Sequence, residues 1–154
     1  MYYKLLTPSL FPQYDKILLT DVDVVFRGDI SRDFMTFDID SQYYVAGVGY
    51  NDIPSPSLQK FLNRAQAYQL AFGPENVKKF LIGAGYLIFN LTKMRKDNIE
   101  EKFTRCLQEN IKRLGQPEQD VINLCCAPYI KLLPVSSWFA PIFTISWIAM
   151  NNKS

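Results

Sequence analysis

The sequence contains no histidine, so a metal site built here has no imidazole ligand to draw on. Cysteine is scarce: Cys106 stands alone and Cys125 and Cys126 are adjacent, which is neither a disulfide framework nor a zinc spacing and suits a reducing compartment. No basic-then-apolar leader opens the chain, and no uninterrupted apolar run reaches the ~20 residues of a membrane span, so a soluble, cytoplasmic protein is expected. The stretch from Trp138 to Met150 comes nearest, but Pro141 breaks it and Thr144 and Ser146 dilute it, as in a core segment. Basic residues are dispersed and the net charge is only +2, which argues against a nucleic acid partner. Repeats, low-complexity tracts and linkers are missing too, so residues 1–154 read as a single domain.

What is present is patterned. Residues 1–52 carry eight acids against four bases, whereas residues 53–154 carry seven against thirteen, so the acids gather in the first third. Thr7-Pro8 and Phe11-Pro12 require any opening helix to end early or to hold a proline in its first turn. Lys16 to Phe26, rich in Ile, Leu and Val, reads as a buried strand ending at Arg27-Gly28-Asp29. Tyr43 to Val48 reads as a second strand. Leu58, Phe61, Leu62, Ala65, Tyr68 and Phe72 mark an amphipathic helix stopped by Gly73-Pro74.

Gly83-Ala84-Gly85 suggests a tight turn into a strand from Tyr86 to Asn90. Ile99, Phe103, Leu107, Ile111 and Leu114 mark a long helix, with Asp97 and Glu100 at capping-box spacing and Gly115 after its last turn. Gln119 to Cys126 suggests another helix and Tyr129 to Leu133 a last strand. Strands alternating with helices predict an α/β fold with a mainly parallel sheet, whose ligands gather beyond the carboxyl ends of the strands.

Asp21 and Asp23 fall at such an end. Alternate residues of an extended segment point to one side about 6.5–7 Å apart, within reach of one hard divalent cation such as magnesium or manganese. Alone, Asp-x-Asp is a weak signal, because two acids at a strand end are often solvated or cap the next turn.

Longer blocks add specificity. Tyr14-Asp15-Lys16-Ile17-Leu18-Leu19-Thr20-Asp21-Val22-Asp23-Val24-Val25-Phe26-Arg27-Gly28-Asp29-Ile30 resembles the metal-binding segment of family eight glycosyltransferases. Phe80 to Arg95, with Gly83-Ala84-Gly85 and Lys93-Met94-Arg95, is similar to that family's Asn-Ala-Gly segment, strand and Lys-Trp-Arg sequence. Glu118-Gln119-Asp120 matches its Asp-Gln-Asp block beside the donor sugar. The three blocks occur in order.

The resemblance implies a GT-A fold, a mixed, mainly parallel sheet flanked by helices, and retaining transfer of a hexose, glucose or galactose, from a UDP-sugar. The acceptor would be a hydroxyl of lipopolysaccharide or another lipid-linked glycan, and the parent protein would sit in the cytoplasm or peripherally at the inner membrane. By the same resemblance Asp21 and Asp23 bind Mn2+ or Mg2+, with Asp23 the direct ligand and Asp21 shared with the ribose. Lys4 points at the donor sugar or its phosphate, Ala84 and Gly85 lie against the sugar, Glu118 and Asp120 contact the donor, and Gln119 is the catalytic residue near the anomeric carbon.

Departures accompany the match. The family's C-terminal His-x-x-Gly-x-x-Lys-Pro-Trp block is absent, and only about twenty residues precede Asp21 where the family places its nucleotide cradle. A segment of a larger enzyme, weakly active alone, is therefore expected. Gly83, Met94 and Glu118 stand where the family has Asn, Trp and Asp. Two other readings remain: a haloacid-dehalogenase-type phosphatase with Asp21 as nucleophile and Asp23 as general acid, and a non-catalytic sugar-nucleotide-binding remnant.

Overall fold

The structure, a computed structural model, describes residues 2–26, 28–49, 63, 66–77 and 82–133. A 3₁₀ helix, Tyr3–Leu6, runs into a short α-helix, Thr7–Leu10, with Pro8 in its first turn, where its missing N–H leaves no helical bond unmade. Four strands follow among helices: β1 (Lys16–Thr20), β2 (Val45–Gly49), β3 (Ile82–Asn90) and β4 (Ile130–Leu133). The helices Ser31–Thr36, Pro74–Val77, Leu91–Lys96, Ile99–Asn110 and Pro117–Cys126 connect or flank them.

The sheet order is β1-β3-β2-β4, with β3 antiparallel to both β1 and β2 and β2 parallel to β4. Mixed pairing is as expected, and β1, β2 and β4 share one direction. Because the reversed strand lies between two of them, however, two of the three ladders are antiparallel, which corrects the expectation of a mainly parallel sheet. Strand order cannot be read from a run of apolar residues.

Alternate residues of β3 enter different cores, as a pleated strand requires. Leu87 and Phe89 join Val45, Leu91, Met94, Ile99, Phe103, Val121 and Ile122 on one face. Tyr86 and Ile88 join Ala46, Val48, Phe37 and Leu133 on the other. Covering on both faces explains why β2 and β3 read as nearly continuous apolar runs.

Gly47 is needed for this packing. A Cβ there would meet Ile82 Cδ1 at 2.9 Å and Leu87 Cδ2 at 3.1 Å, at the point where the β2–β3 register shifts. Gly47→Ala is expected to destabilise the fold by about 1–3 kcal/mol through overpacking. Urea denaturation would show it as a lower midpoint at unchanged slope.

Several local expectations are revised. β1 stops at Thr20, not Phe26, and is half-buried throughout because it pairs only with β3 among the described strands. Gly83-Ala84-Gly85 belongs to β3 itself. The long helix ends at Asn110 and turns at 111–113, so Gly115 is not its terminal glycine.

Asp97 is not a capping-box residue either: the Ile99–Asn110 helix starts from Asn98, a non-glycine residue at φ 51°. The Asp97 carboxylate instead accepts from the Tyr44 hydroxyl at 2.8 Å and from Lys93 Nζ at 3.0 Å. The hydroxyl bond, with help from Lys93, holds Asp97 below the usual carboxylate range, while burial and that same bond push Tyr44 up to about 12. The helix expected from Leu58 is described at residues 66–72, where Tyr68 and Phe72 are buried. Gly73 ends it at φ 85°, donating its N–H to the Gln69 carbonyl. Residues 58–62, 64 and 65 and the apolar stretch from 138 to 150 lie outside the described residues.

Candidate functional site

β3 is longer than its partner: β1 pairs with Tyr86 to Asn90, so residues 83–85 run on past the end of β1. The chain leaving β1 turns at once. Asp21 donates its N–H to the Gly85 carbonyl at 3.0 Å, and Val24 donates to the Asp21 carbonyl at 3.2 Å, closing a turn with Val22 and Asp23 exposed at its tip. The two aspartates thus sit on a turn, where the sequence suggested an extended segment.

Lys4 comes from the opposite end of the fold. Leu5, its neighbour in the 3₁₀ helix, is buried in the main core and fixes that helix against it. Arg95 holds the segment that follows, donating to the Tyr14 carbonyl at 3.0 Å and to those of Pro8 and Phe11 at 3.4 and 3.5 Å. Lys4 Nζ then donates to the Ala84 carbonyl at 2.8 Å and forms an ion pair with Asp21 Oδ1. The Lys4 side chain is 14% exposed and that of Asp21 49%. An ion pair open to water on one side adds at most about 1 kcal/mol to stability, so folding gains little from placing an ammonium there.

Lys4, Asp21, Ala84 and Gly85 therefore meet, whereas Asp23 stands at the turn tip beside them. Asp21 and Asp23 offer a hard cation carboxylate oxygens, the donor type that suits magnesium or manganese when phosphates and water supply the other ligands. Among the described residues no cluster of three or more acidic, cysteine or histidine side chains could hold an ion. The donor set fits an ion shared with a diphosphate better than one enclosed by protein.

The Pro117–Cys126 helix supplies the other predicted residues. Pro117 opens it, and Glu118 and Asp120 occupy its first turn, where the helix dipole favours negative charge. Asp120 is fully buried, and its Oδ2 accepts from the backbone N–H groups of Gly115 and Gln116 at 2.9 and 3.0 Å, which fixes the loop entering the helix. Glu118 is half-buried.

Asn123, which the sequence did not single out, fastens this helix to the sheet. Its side-chain amide accepts from Ile82 N–H at 3.0 Å and donates to the Ile82 carbonyl at 2.8 Å and the Gln119 carbonyl at 2.9 Å, standing in for a neighbouring strand. An asparagine inside a helix is a mild propensity defect, and that was the available signal. Gln119, one turn earlier on the same helical face, is 7% exposed, and its Nε2 has no hydrogen-bond partner among the described residues. An unmet buried donor costs about 1–3 kcal/mol, a defect that a bound acceptor would relieve.

Asn90 was also overlooked. Its Oδ1 accepts from Lys93 N–H at 3.0 Å, capping the Leu91–Lys96 helix, and its Nδ2 donates to the Ile39 and Tyr43 carbonyls. An asparagine between a strand and a helix is a recognisable N-cap signal.

Comparison with known proteins places this arrangement. The chain is 26% identical over 137 residues to a lipopolysaccharide 1,2-glucosyltransferase of Escherichia coli, an overlap of 87% of this chain and 37% of that protein. The galactosyltransferase LgtC, solved with donor and acceptor sugar analogues, superposes with a TM-score of 0.66 at 18% identity, over 87% of this chain and 44% of LgtC. The glycosyltransferase GlyE of Streptococcus pneumoniae TIGR4 gives 0.66 at 17% identity, over 99% of this chain and 32% of GlyE. This chain thus spans less than half the length of each. At such identities the structural likeness establishes the fold, the mixed α/β GT-A type. The sequence model described as "Glycosyl transferase family 8" matches residues 1–146, almost the whole chain, and the chain belongs to that family.

Proposed function

We propose that this chain forms the donor-sugar side of a retaining hexosyltransferase that moves glucose or galactose from a UDP-sugar to a hydroxyl of lipopolysaccharide or another glycan. The observation that carries the reading is the meeting of Lys4, Asp21 and the Ala84-Gly85 backbone at one end of the sheet. The names of the relatives support the reaction class and the acceptor type. Family membership leaves the phosphatase reading without support.

A divalent ion, manganese or magnesium, held by Asp21 and Asp23 would neutralise the diphosphate leaving group. The chain's own residues do the rest. Lys4 presents its ammonium to the donor sugar or phosphate, and the small side chains of Ala84 and Gly85 let the sugar approach the backbone. Glu118 accepts hydrogen bonds from sugar hydroxyls, and Asp120 keeps the helix entry in place. Gln119 offers its amide to the anomeric region as polar stabilisation, without covalent attachment. The leaving phosphate oxygen takes the acceptor's proton as the acceptor attacks from the same face. Such a protein works in the cytoplasm or at the inner membrane surface, and no helix among the described residues is long and apolar enough to cross a membrane.

Electron paramagnetic resonance of free manganese tests this reading, since the aqueous ion's signal falls when it is bound. The protein with UDP is expected to reduce the signal below that of UDP alone, and Asp23→Ala is expected to remove the difference. An equal reduction by the variant, or hydrolysis of a generic phosphate ester by the protein, would overturn the proposal.

A further inference from the structure

The three cysteines show no functional spacing in the sequence, yet the fold brings two of them together. Cys125 Sγ lies 3.7 Å from the Lys102 carbonyl oxygen. In an α-helix that oxygen accepts the amide of the residue four positions on, which is Cys106. The Cys125 sulfur is therefore set beside the Cys106 backbone, across the contact between the Ile99–Asn110 and Pro117–Cys126 helices. The two thiols are hydrogen-bonded to each other, and both are half-buried at the edge of the main core. Cys126 is fully buried in that core.

We propose that Cys106 and Cys125 are a redox-responsive dithiol, converted to a disulfide by low-molecular-weight disulfides of the glutathione class. The roles of the two sulfurs differ. The Cys125 thiol donates to Cys106, the Asn110 amide stands 3.9 Å from Cys106 Sγ, and both lower its pKa against the opposing effects of burial, Glu109 and Asp120. Cys125 is shifted upward by the same bond and by burial. Cys106 is accordingly the first to react, since the thiolate is the nucleophile.

The Cys106 thiolate attacks one sulfur of the small disulfide, forming a mixed disulfide and releasing one thiolate. Cys125, giving its proton to solvent, then attacks the Cys106 sulfur and expels the second thiolate. Two protein thiols are oxidised, one small disulfide is reduced to two thiols, and no other reagent is needed. The new bond would tie the helix carrying Gln119 to its neighbour, and excess small thiol would reverse it.

The test is incubation of the reduced protein with oxidised glutathione, followed by intact-mass measurement and peptide mapping. The expected product has lost two hydrogen atoms, carries no glutathione, and contains a peptide joining Cys106 to Cys125. Cys125→Ser should instead retain one glutathione on Cys106, because the resolving thiol is gone. A stable glutathione adduct on the unsubstituted protein, a bond involving Cys126, or no adduct at Cys106 in Cys125→Ser would each overturn the proposal.

Discussion

Lys4→Met is expected to lower donor turnover, measured as UDP released from UDP-glucose or UDP-galactose, by about 10²–10³-fold, the usual consequence of removing one positioned electrostatic group from a transfer site. Methionine keeps the length and apolar stem of lysine but not the charge. In the structure that charge lies between the Ala84 carbonyl and the Asp21 carboxylate, largely screened from water. A sugar phosphate at the same position would meet an ammonium already oriented by those contacts. Stability should scarcely change, because the partner carboxylate is half exposed and such pairs contribute at most about 1 kcal/mol. Lys4→Arg, which retains the charge, should recover much of the rate. A fall of less than threefold in Lys4→Met, or a rate loss matched by a large fall in Tm, would assign Lys4 to the scaffold.

Asn90→Ala should have the largest effect on the fold, about 3–4 kcal/mol. Asn90 is fully buried, and alanine leaves three backbone groups without their partner: Lys93 N–H and the carbonyls of Ile39 and Tyr43. Loss of an N-cap costs about 1 kcal/mol, and each stranded buried group about 1–3 kcal/mol before relaxation. Asn90→Asp separates the two contributions, since it keeps the acceptor for Lys93 but removes both donors and places a carboxylate against two carbonyl oxygens. Burial there raises the aspartate's pKa in the folded state above its unfolded value. The penalty is therefore full above the folded pKa and shrinks as pH falls, so this variant should gain stability relative to Asn90→Ala on acidification. Urea titrations at pH 7 and pH 5 measure the difference. Equal stability of Asn90→Ala and the parent protein would show that the three backbone groups find other partners.

These expectations rest on different kinds of information. Helices with clear local punctuation were legible from the sequence: Pro117 and the acids after it open one helix, and Gly73 closes another. Strand positions were legible too, but not their lengths. The Lys16 run continues in apolar residues to Phe26, yet β1 stops at Thr20 because Asp21 turns to bond Gly85. The capping box at Asp97 and Glu100 failed because longer-range partners won: Asp97 serves Tyr44 and Lys93, and Glu100 accepts from Ser9.

The sequence by itself determined the family, since three ordered blocks spread along the chain carry residue types at spacings that chance seldom reproduces, and it determined which local segments coil or extend. The absence of histidine was legible there as well, and it confines metal binding at this site to carboxylates, phosphates and water. Only the tertiary structure decided that β3 reverses direction between β1 and β2, that Lys4 reaches Asp21 and Ala84, that Asn123 joins a helix to Ile82, and that Cys106 faces Cys125. The physical reason is separation: spacing along a chain encodes period and chemistry over one or two turns, whereas these contacts close between distant segments once the two faces of the sheet have been buried.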